Sequence, residues 1–240
     1  MKPRILITRE PERAAGLIRL LEAEGMDAVA EPATHTVFLP LDGSTPPLDR
    51  FGWLIFTSVN GVKAFHRAFS SVPATTRIAV VGPGTADETT RLLRKPDYVA
   101  VQNDAAGLGA ELLTAFPGLD HQSYLWPCAS RSSDILLAQL KDAGAVVVTW
   151  PVYRTDPVSP EQLLMRLTKR WPWEIALFAA PSAVAVFAAA WPQPWDFPCI
   201  AIGDVTARAL ARSEAADVRV SRGPGAADLR DVILETLRLR

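Results

Sequence analysis

Cysteine is scarce in this chain: Cys128 and Cys199 are the two among 240 residues. They lie far apart with no second Cys or His at ligand spacing, which excludes a disulfide scaffold and argues against a metal site. Histidine is nearly as rare. His35, His66 and His121 are scattered, and neither a Ser–His spacing nor a G-x-S-x-G elbow argues for a catalytic triad. An excess of either charge is also missing. Lys and Arg number 25 against 26 Asp and Glu, a net charge of −1, so no overall field draws the chain to nucleic acid or an anionic membrane. Any anionic ligand must therefore be held by local groups. No apolar run reaches the roughly 20 residues of a membrane span, because the most apolar stretch is broken by Glu174, Pro181 and Ser182. The opening Ile5-Leu6-Ile7 is too short for a secretory leader, so the expected location is cytoplasmic. Phosphate fingerprints are lacking too: Gly82-Pro83-Gly84-Thr85 has no third Gly of G-x-G-x-x-G, and there is no G-x-x-x-x-G-K-[ST].

What is present is a regular alternation. Short runs rich in Val and Ile fall at 4–8, 27–31, 53–57, 77–81, 98–102, 123–127, 145–150, 173–178, 198–202 and 216–220. Stretches of helical period separate them, such as Ala14, Leu17, Ile18 and Leu21 on one face. This is the pattern of βαβ units around buried parallel sheets.

The pattern repeats. Trp53 through Phe65 lines up with Trp173 through Phe187, and Ile78-Ala79-Val80-Val81-Gly82-Pro83-Gly84-Thr85-Ala86 lines up with Cys199-Ile200-Ala201-Ile202-Gly203-Asp204-Val205-Thr206-Ala207. The second copy ends before it reaches a counterpart of 123–150, and residues 4–31 supply that counterpart. The expected fold is α/β, with two similar three-layer domains. The first is discontinuous, 1–35 and 155–240, and the second, 36–154, is inserted into it. Two crossings then contain the extended-favouring Thr36-Val37-Phe38 and Val152-Tyr153, and paired domains imply a hinge and a cleft.

In parallel α/β sheets ligands bind beyond the carboxyl ends of the strands. The junctions expected there read Thr57-Ser58-Val59-Asn60-Gly61, Gly82-Pro83-Gly84-Thr85, Asn103-Asp104-Ala105-Ala106-Gly107, Ala180-Pro181-Ser182, Gly203-Asp204-Val205-Thr206 and Gly223-Pro224-Gly225. Small and hydroxylated residues at helix starts cap the helix and leave backbone N–H groups for an anion, and each terminus carries roughly half a positive charge. Taken singly, each is equally well an ordinary cap. Arg9, after the first strand, and Arg131, at the matching place in the repeat, could pair carboxylates or simply be solvated. Tyr153 falls on a crossing, where a phenol would face a cleft or pack between domains.

The combination of Ile7-Thr8-Arg9, Phe56-Thr57-Ser58-Val59-Asn60-Gly61-Val62, Val81-Gly82-Pro83-Gly84-Thr85-Ala86, Val152-Tyr153-Arg154-Thr155 and Ala201-Ile202-Gly203-Asp204-Val205-Thr206-Ala207 resembles the uroporphyrinogen-III synthase family over nearly the whole chain. The resemblance implies two α/β domains joined by a two-stranded connector. It implies a cofactor-free cyclisation of linear hydroxymethylbilane to uroporphyrinogen III, with loss of water and inversion of ring D through a spiro-pyrrolenine. Tyr153 and Thr206 are then the catalytic candidates, and Arg9, Thr57, Ser58, Asn60, Gly82, Gly84, Thr85, Ser182 and Gly203 the substrate-binding ones. The implied partners are the bilane, a transient contact with hydroxymethylbilane synthase, and neither nucleic acid nor membrane; the implied state is a monomer. Ala180 and Val205 stand where many members carry hydroxyl residues. They motivate a second reading, a relative or two-domain anion-binding module that holds a tetrapyrrole without turning it over.

Overall fold

A computed structural model describes residues 2–41, 45–102, 104–116, 118, 122–132, 134–192, 194–213 and 215–239. Asn103 and His121 lie outside them. Among the described residues, strands and helices follow in the order β1 (Arg4–Ile7), α1 (Pro11–Ala23), β2 (Asp27–Ala30), β3 (Thr34–Phe38), β4 (Trp53–Phe56), α2 (Val59–Ala68), β5 (Arg77–Val81), α3 (Pro83–Leu92), β6 (Tyr98–Ala100), α4 (Ala105–Ala115), β7 (Ser123–Ala129), α5 (Ile135–Asp142) and β8 (Val146–Pro157). The chain continues with α6 (Pro160–Thr168), β9 (Ile175–Phe178), α7 (Pro181–Ala190), β10 (Cys199–Ala201), α8 (Asp204–Leu210), β11 (Val218–Val220) and α9 (Ala226–Arg238). All ten Val/Ile-rich runs form strands. The remaining strand, β3, covers the extended-favouring Thr36-Val37-Phe38.

Two compact units result, Met1–His35 with Asp156–Arg240, and Thr36–Thr155. The first holds a five-stranded sheet in the order β11-β10-β9-β1-β2, parallel throughout. Its central strands are apolar on both faces because both are covered. Alternation sends Leu6, Ala176 and Phe178 to one side, against Leu163, Val184, Phe187 and Leu210 of α6, α7 and α8. Ile5, Ile7, Ile175 and Leu177 go to the other, against Leu17 and Leu21 of α1 and Leu229 and Ile233 of α9.

The second unit holds the order β3-β8-β7-β4-β5-β6. Strands β8 through β6 are parallel. Trp53, Ile55, Tyr124 and Trp126 pack against Leu108 and Leu112 of α4 and Leu136 and Leu140 of α5. On the opposite face Leu54, Phe56, Ile78 and Leu125 pack against Val62 and Phe65 of α2. Strand β3 is the exception to parallel pairing. Leu39 N donates to Val152 O at 3.0 Å and Val158 N to Ala33 O at 2.9 Å, so residue numbers fall on β8 as they rise on β3, an antiparallel ladder. The chain passes between the units along these two strands. Each unit thus presents its parallel strands' carboxyl ends, with the helix-entering loops, on one edge of its sheet.

Candidate active site

In the second unit the loop after β4 meets the connector strand β8. Ser58 is the N-cap of α2, with extended backbone, and its Oγ accepts from Gly61 N at 3.1 Å. The same Oγ lies 2.9 Å from Tyr153 Oη, a hydrogen bond in which either hydroxyl can donate. Tyr153 reaches this position because β8 departs from regular pairing with β7 between Cys128 and Ala129, where Cys128 faces Pro151 but Ala129 faces Tyr153. The irregularity leaves both Val152 and Tyr153 buried, against the strict alternation of a strand. Next along the turn, Thr57 Oγ1 accepts from Trp126 Nε1 at 3.3 Å, and Asn60 Nδ2 donates to Thr36 Oγ1 at 2.9 Å. Gly61 lets the turn approach β7 closely, since a Cβ there would stand 2.8 Å from Pro127 O.

Gly82, Gly84 and Thr85 form the neighbouring turn from β5 into α3. Gly82 is the N-cap of α3 at φ +78°, a left-handed conformation that glycine adopts without strain. Pro83 follows at the first helical position, and Thr85 is buried while Gly84 is exposed. After β6, Glu111 accepts from Val101 N, Gln102 N and Tyr98 Oη, each at 2.9 Å. Those bonds, led by Gln102 N–H and Val101 N–H, hold its carboxyl below the usual range. Asp104 caps α4 through Gly107 N at 2.6 Å.

The first unit has a matching edge. Thr8, buried after β1, donates from Oγ1 to Leu177 O at 3.0 Å and accepts from Ala179 N at 3.4 Å, pinning the loops of the paired strands β1 and β9 together. Arg9 follows. Burial and then the like charge of Arg13 lower its pKa. Ala180 occupies the N-cap of α7 without a side-chain cap bond, and Ser182 is exposed in the first turn. Gly203 precedes α8 with fully extended backbone, Thr206 is 3% exposed, and Val205 beside it is 62% exposed.

The structure therefore brings Tyr153, Thr57, Ser58 and Asn60 together and sets Gly82, Gly84 and Thr85 at the start of α3, after the adjacent strand. It places Arg9 and Gly203 on the loops after β1 and β10, and Ser182 and Thr206 in the first turns of α7 and α8, all in the other unit. Thr8, Thr36 and Glu111 are the polar anchors that sequence reasoning left out. A Thr after a strand and a Glu within a helix carry no mark of such a role. Among the described residues no group of three or more His, Cys, Asp and Glu could hold a metal ion, and no helix is long and apolar enough to cross a membrane.

A family model described as uroporphyrinogen-III synthase HemD matches residues 15–231. This chain belongs to the uroporphyrinogen-III synthase family. A curated relative, the uroporphyrinogen-III synthase of Synechococcus elongatus, is 29% identical over 177 residues, which span 68% of this chain and 65% of the relative. Among solved structures, the uroporphyrinogen-III synthetase of Helicobacter pylori superposes with a TM-score of 0.70 at 19% identity over 100% of both chains. A mutant uroporphyrinogen III synthase of Thermus thermophilus superposes with 0.56 at 18% identity, covering 99% of this chain and 100% of that one. The two superpositions show that the uroporphyrinogen-III synthase fold is shared, with sheets that are parallel save for β3.

Proposed function

We propose that this chain is an enzyme, a cyclising lyase that converts hydroxymethylbilane to uroporphyrinogen III, with Tyr153 as the acid that starts the reaction. The observation that carries this reading is the pair Tyr153 Oη and Ser58 Oγ, 2.9 Å apart at the capped start of α2. When Ser58 donates to Tyr153, the phenol's own O–H is free to face a substrate. The leaving hydroxyl takes that proton and departs as water, which leaves an azafulvene cation, and the phenolate oxygen keeps the Ser58 hydrogen bond, now charge-assisted. Attack of the cation on the substituted carbon of ring D forms the spiro-pyrrolenine. Fragmentation and reclosure invert the ring, and the proton lost as the macrocycle is completed returns to the Tyr153 phenolate.

Most of the work is conformational, since direct closure to the type I isomer competes. Holding the chain bent toward the spiro closure is orientation catalysis, and excluding water protects the cation. The backbone N–H groups that open α2, α3 and α7, and the half-buried Arg9 guanidinium, are the groups proposed to take substrate carboxylates. Thr206 is the second hydroxyl proposed to take part in the reaction. The chain is read as a cytoplasmic monomer that needs no cofactor, receiving its unstable substrate by transient contact with the synthase that makes it.

The test generates hydroxymethylbilane in place, oxidises the products and separates type I from type III uroporphyrin. A protein-dependent excess of type III is expected, and Tyr153→Phe should lower turnover by about 10²-fold or more, the usual contribution of a general acid. Type I alone refutes the activity, and an unchanged rate in Tyr153→Phe removes Tyr153 from the reaction.

A further inference from the structure

The start of α2 is tied to the connector strands twice. Ser58 reaches Tyr153 on β8, and Asn60, two residues on and only 9% exposed, donates from Nδ2 to Thr36 Oγ1 on β3 at 2.9 Å. The β3–β8 ladder is bracketed by the Leu39–Val152 and Ala33–Val158 bonds, a register that sets Phe38 opposite Tyr153 and Thr36 opposite Thr155. Directly opposed residues share a face, so Thr36 and Tyr153 rise from the same side of the ribbon, diagonal to one another. Farther along, the Arg67 guanidinium of α2 lies 4.9 Å over the Phe38 ring on β3. A closed frame results: Tyr153 to Ser58, through the first turn of α2 to Asn60, to Thr36, and back along the paired strands.

We propose that Thr36 is a positioning residue for Tyr153, acting through Asn60 and the first turn of α2. The inference rests on the reading of Tyr153 as the reaction's acid. A phenol oxygen lies on the ring axis, so rotating the ring does not move it; the backbone of β8, the first side-chain torsion and the Ser58 hydrogen bond set its place. Ser58 in turn rides on a helix end, where the first N–H groups have no intrahelical partner and fraying begins. The Asn60–Thr36 bond holds that turn against β3. Its loss frees Ser58, and the phenol is then placed by the β8 backbone and its own first torsion without a fixed hydrogen-bond partner.

The experiment compares Thr36→Val, Thr36→Ser, Tyr153→Phe and the Thr36→Val/Tyr153→Phe double variant in the coupled assay, with melting temperatures beside the kinetics. Thr36→Val should lower kcat about fivefold with KM within about twofold, well short of the ~10²-fold that a misplaced catalytic constellation can cost. Thr36→Ser keeps the hydroxyl and should restore the wild-type kcat. In the Tyr153→Phe background Thr36→Val should add nothing, because the group it aims is gone. Should Thr36→Val fold poorly, Thr36→Ala is read against Thr36→Ser in the same way. A wild-type kcat in Thr36→Val, an effect on KM alone, or an equal loss in both backgrounds overturns the role of Thr36 while leaving Tyr153 in place. A wild-type rate in Tyr153→Phe alone instead overturns the assignment of Tyr153, and with it the route proposed for Thr36.

Discussion

Replacing Gly61 with alanine sets two physical effects of similar size against each other. In an open helix position Gly→Ala stabilises by about 1 kcal/mol. Gly84 in α3 is such a position, since nothing lies within 4 Å of an added Cβ. Gly61 is not: its Cβ would stand 2.8 Å from the Pro127 carbonyl oxygen, 3.5 Å from Ser58 Oγ and 3.8 Å from the Phe56 ring. The carbonyl belongs to the backbone of β7, in the interior of the sheet, and cannot swing aside as a flexible side chain would. Relief has to come from α2 moving off the sheet. Overpacking of this kind costs about 1–3 kcal/mol. Set against the propensity gain, the net is a destabilisation of about 1 kcal/mol, a fall in melting temperature of about 2–4 °C for a chain of this size. The same movement carries Ser58 away from Tyr153 and stretches a hydrogen bond that is now 2.9 Å. Gly61→Ala should therefore lose about tenfold in kcat, while Gly84→Ala melts above the wild type. Thermal unfolding by circular dichroism and the coupled isomer assay decide it. A Gly61→Ala protein that melts as high as Gly84→Ala and turns over at the wild-type rate would refute the close approach and the dependence of catalysis on the start of α2.

Other expectations follow from single environments. Phe187 is fully buried, its ring 4.9 Å from Trp195, 5.2 Å from Phe178 and 5.9 Å from Trp191, so Phe187→Ala should cost about 3–5 kcal/mol in urea unfolding; a loss below about 1 would show that the cluster does not hold the first unit together. Burial, with the Asp217 carboxylate adding to it, pushes the Cys199 thiol up to about 12, and burial also raises Cys128. The native protein should accordingly resist alkylation at pH 8 and take up two equivalents only when denatured, as mass spectrometry would show. Glu111 is held below its ordinary value of 4.5 by the N–H groups of Gln102 and Val101, so its contribution is fully present above that pH and is lost as the pH falls through the lower folded value. Glu111→Gln should then melt below the wild type at neutral pH, with the gap closing in acid; a gap that stays constant down to pH 2 would contradict this.

The alternation of apolar runs with helical stretches was legible along the whole chain, because strands buried on both faces need continuous Val, Ile and Leu, and Leu54-Ile55-Phe56 or Ala176-Leu177-Phe178 tolerate nothing else. Helix starts were legible for the same local reason. Ser58 and Asp104 cap through their own side chains to the N–H three residues on, and Gly82 takes the positive φ its turn needs. The site was readable only in pieces. Thr57-Ser58 and Tyr153 stood out separately, yet Ser58 and Tyr153 are 95 residues apart, and nothing local says that their hydroxyls meet. That meeting depends on the strand order β8-β7-β4 and on the irregular pairing at Cys128 and Ala129 that buries the phenol. Thr36 shows the limit plainly: in the sequence it is one extended-favouring residue among several, and only its register against β8 and its reach to Asn60 distinguish it. Propensity, period and capping act over a few residues, and by themselves they determined which segments are strands, which are helices and which loops carry hydroxyls and free N–H groups. The pairing of hydroxyls across remote strands is set by sheet order and register, free energies summed over the whole core, and that the tertiary structure alone decided.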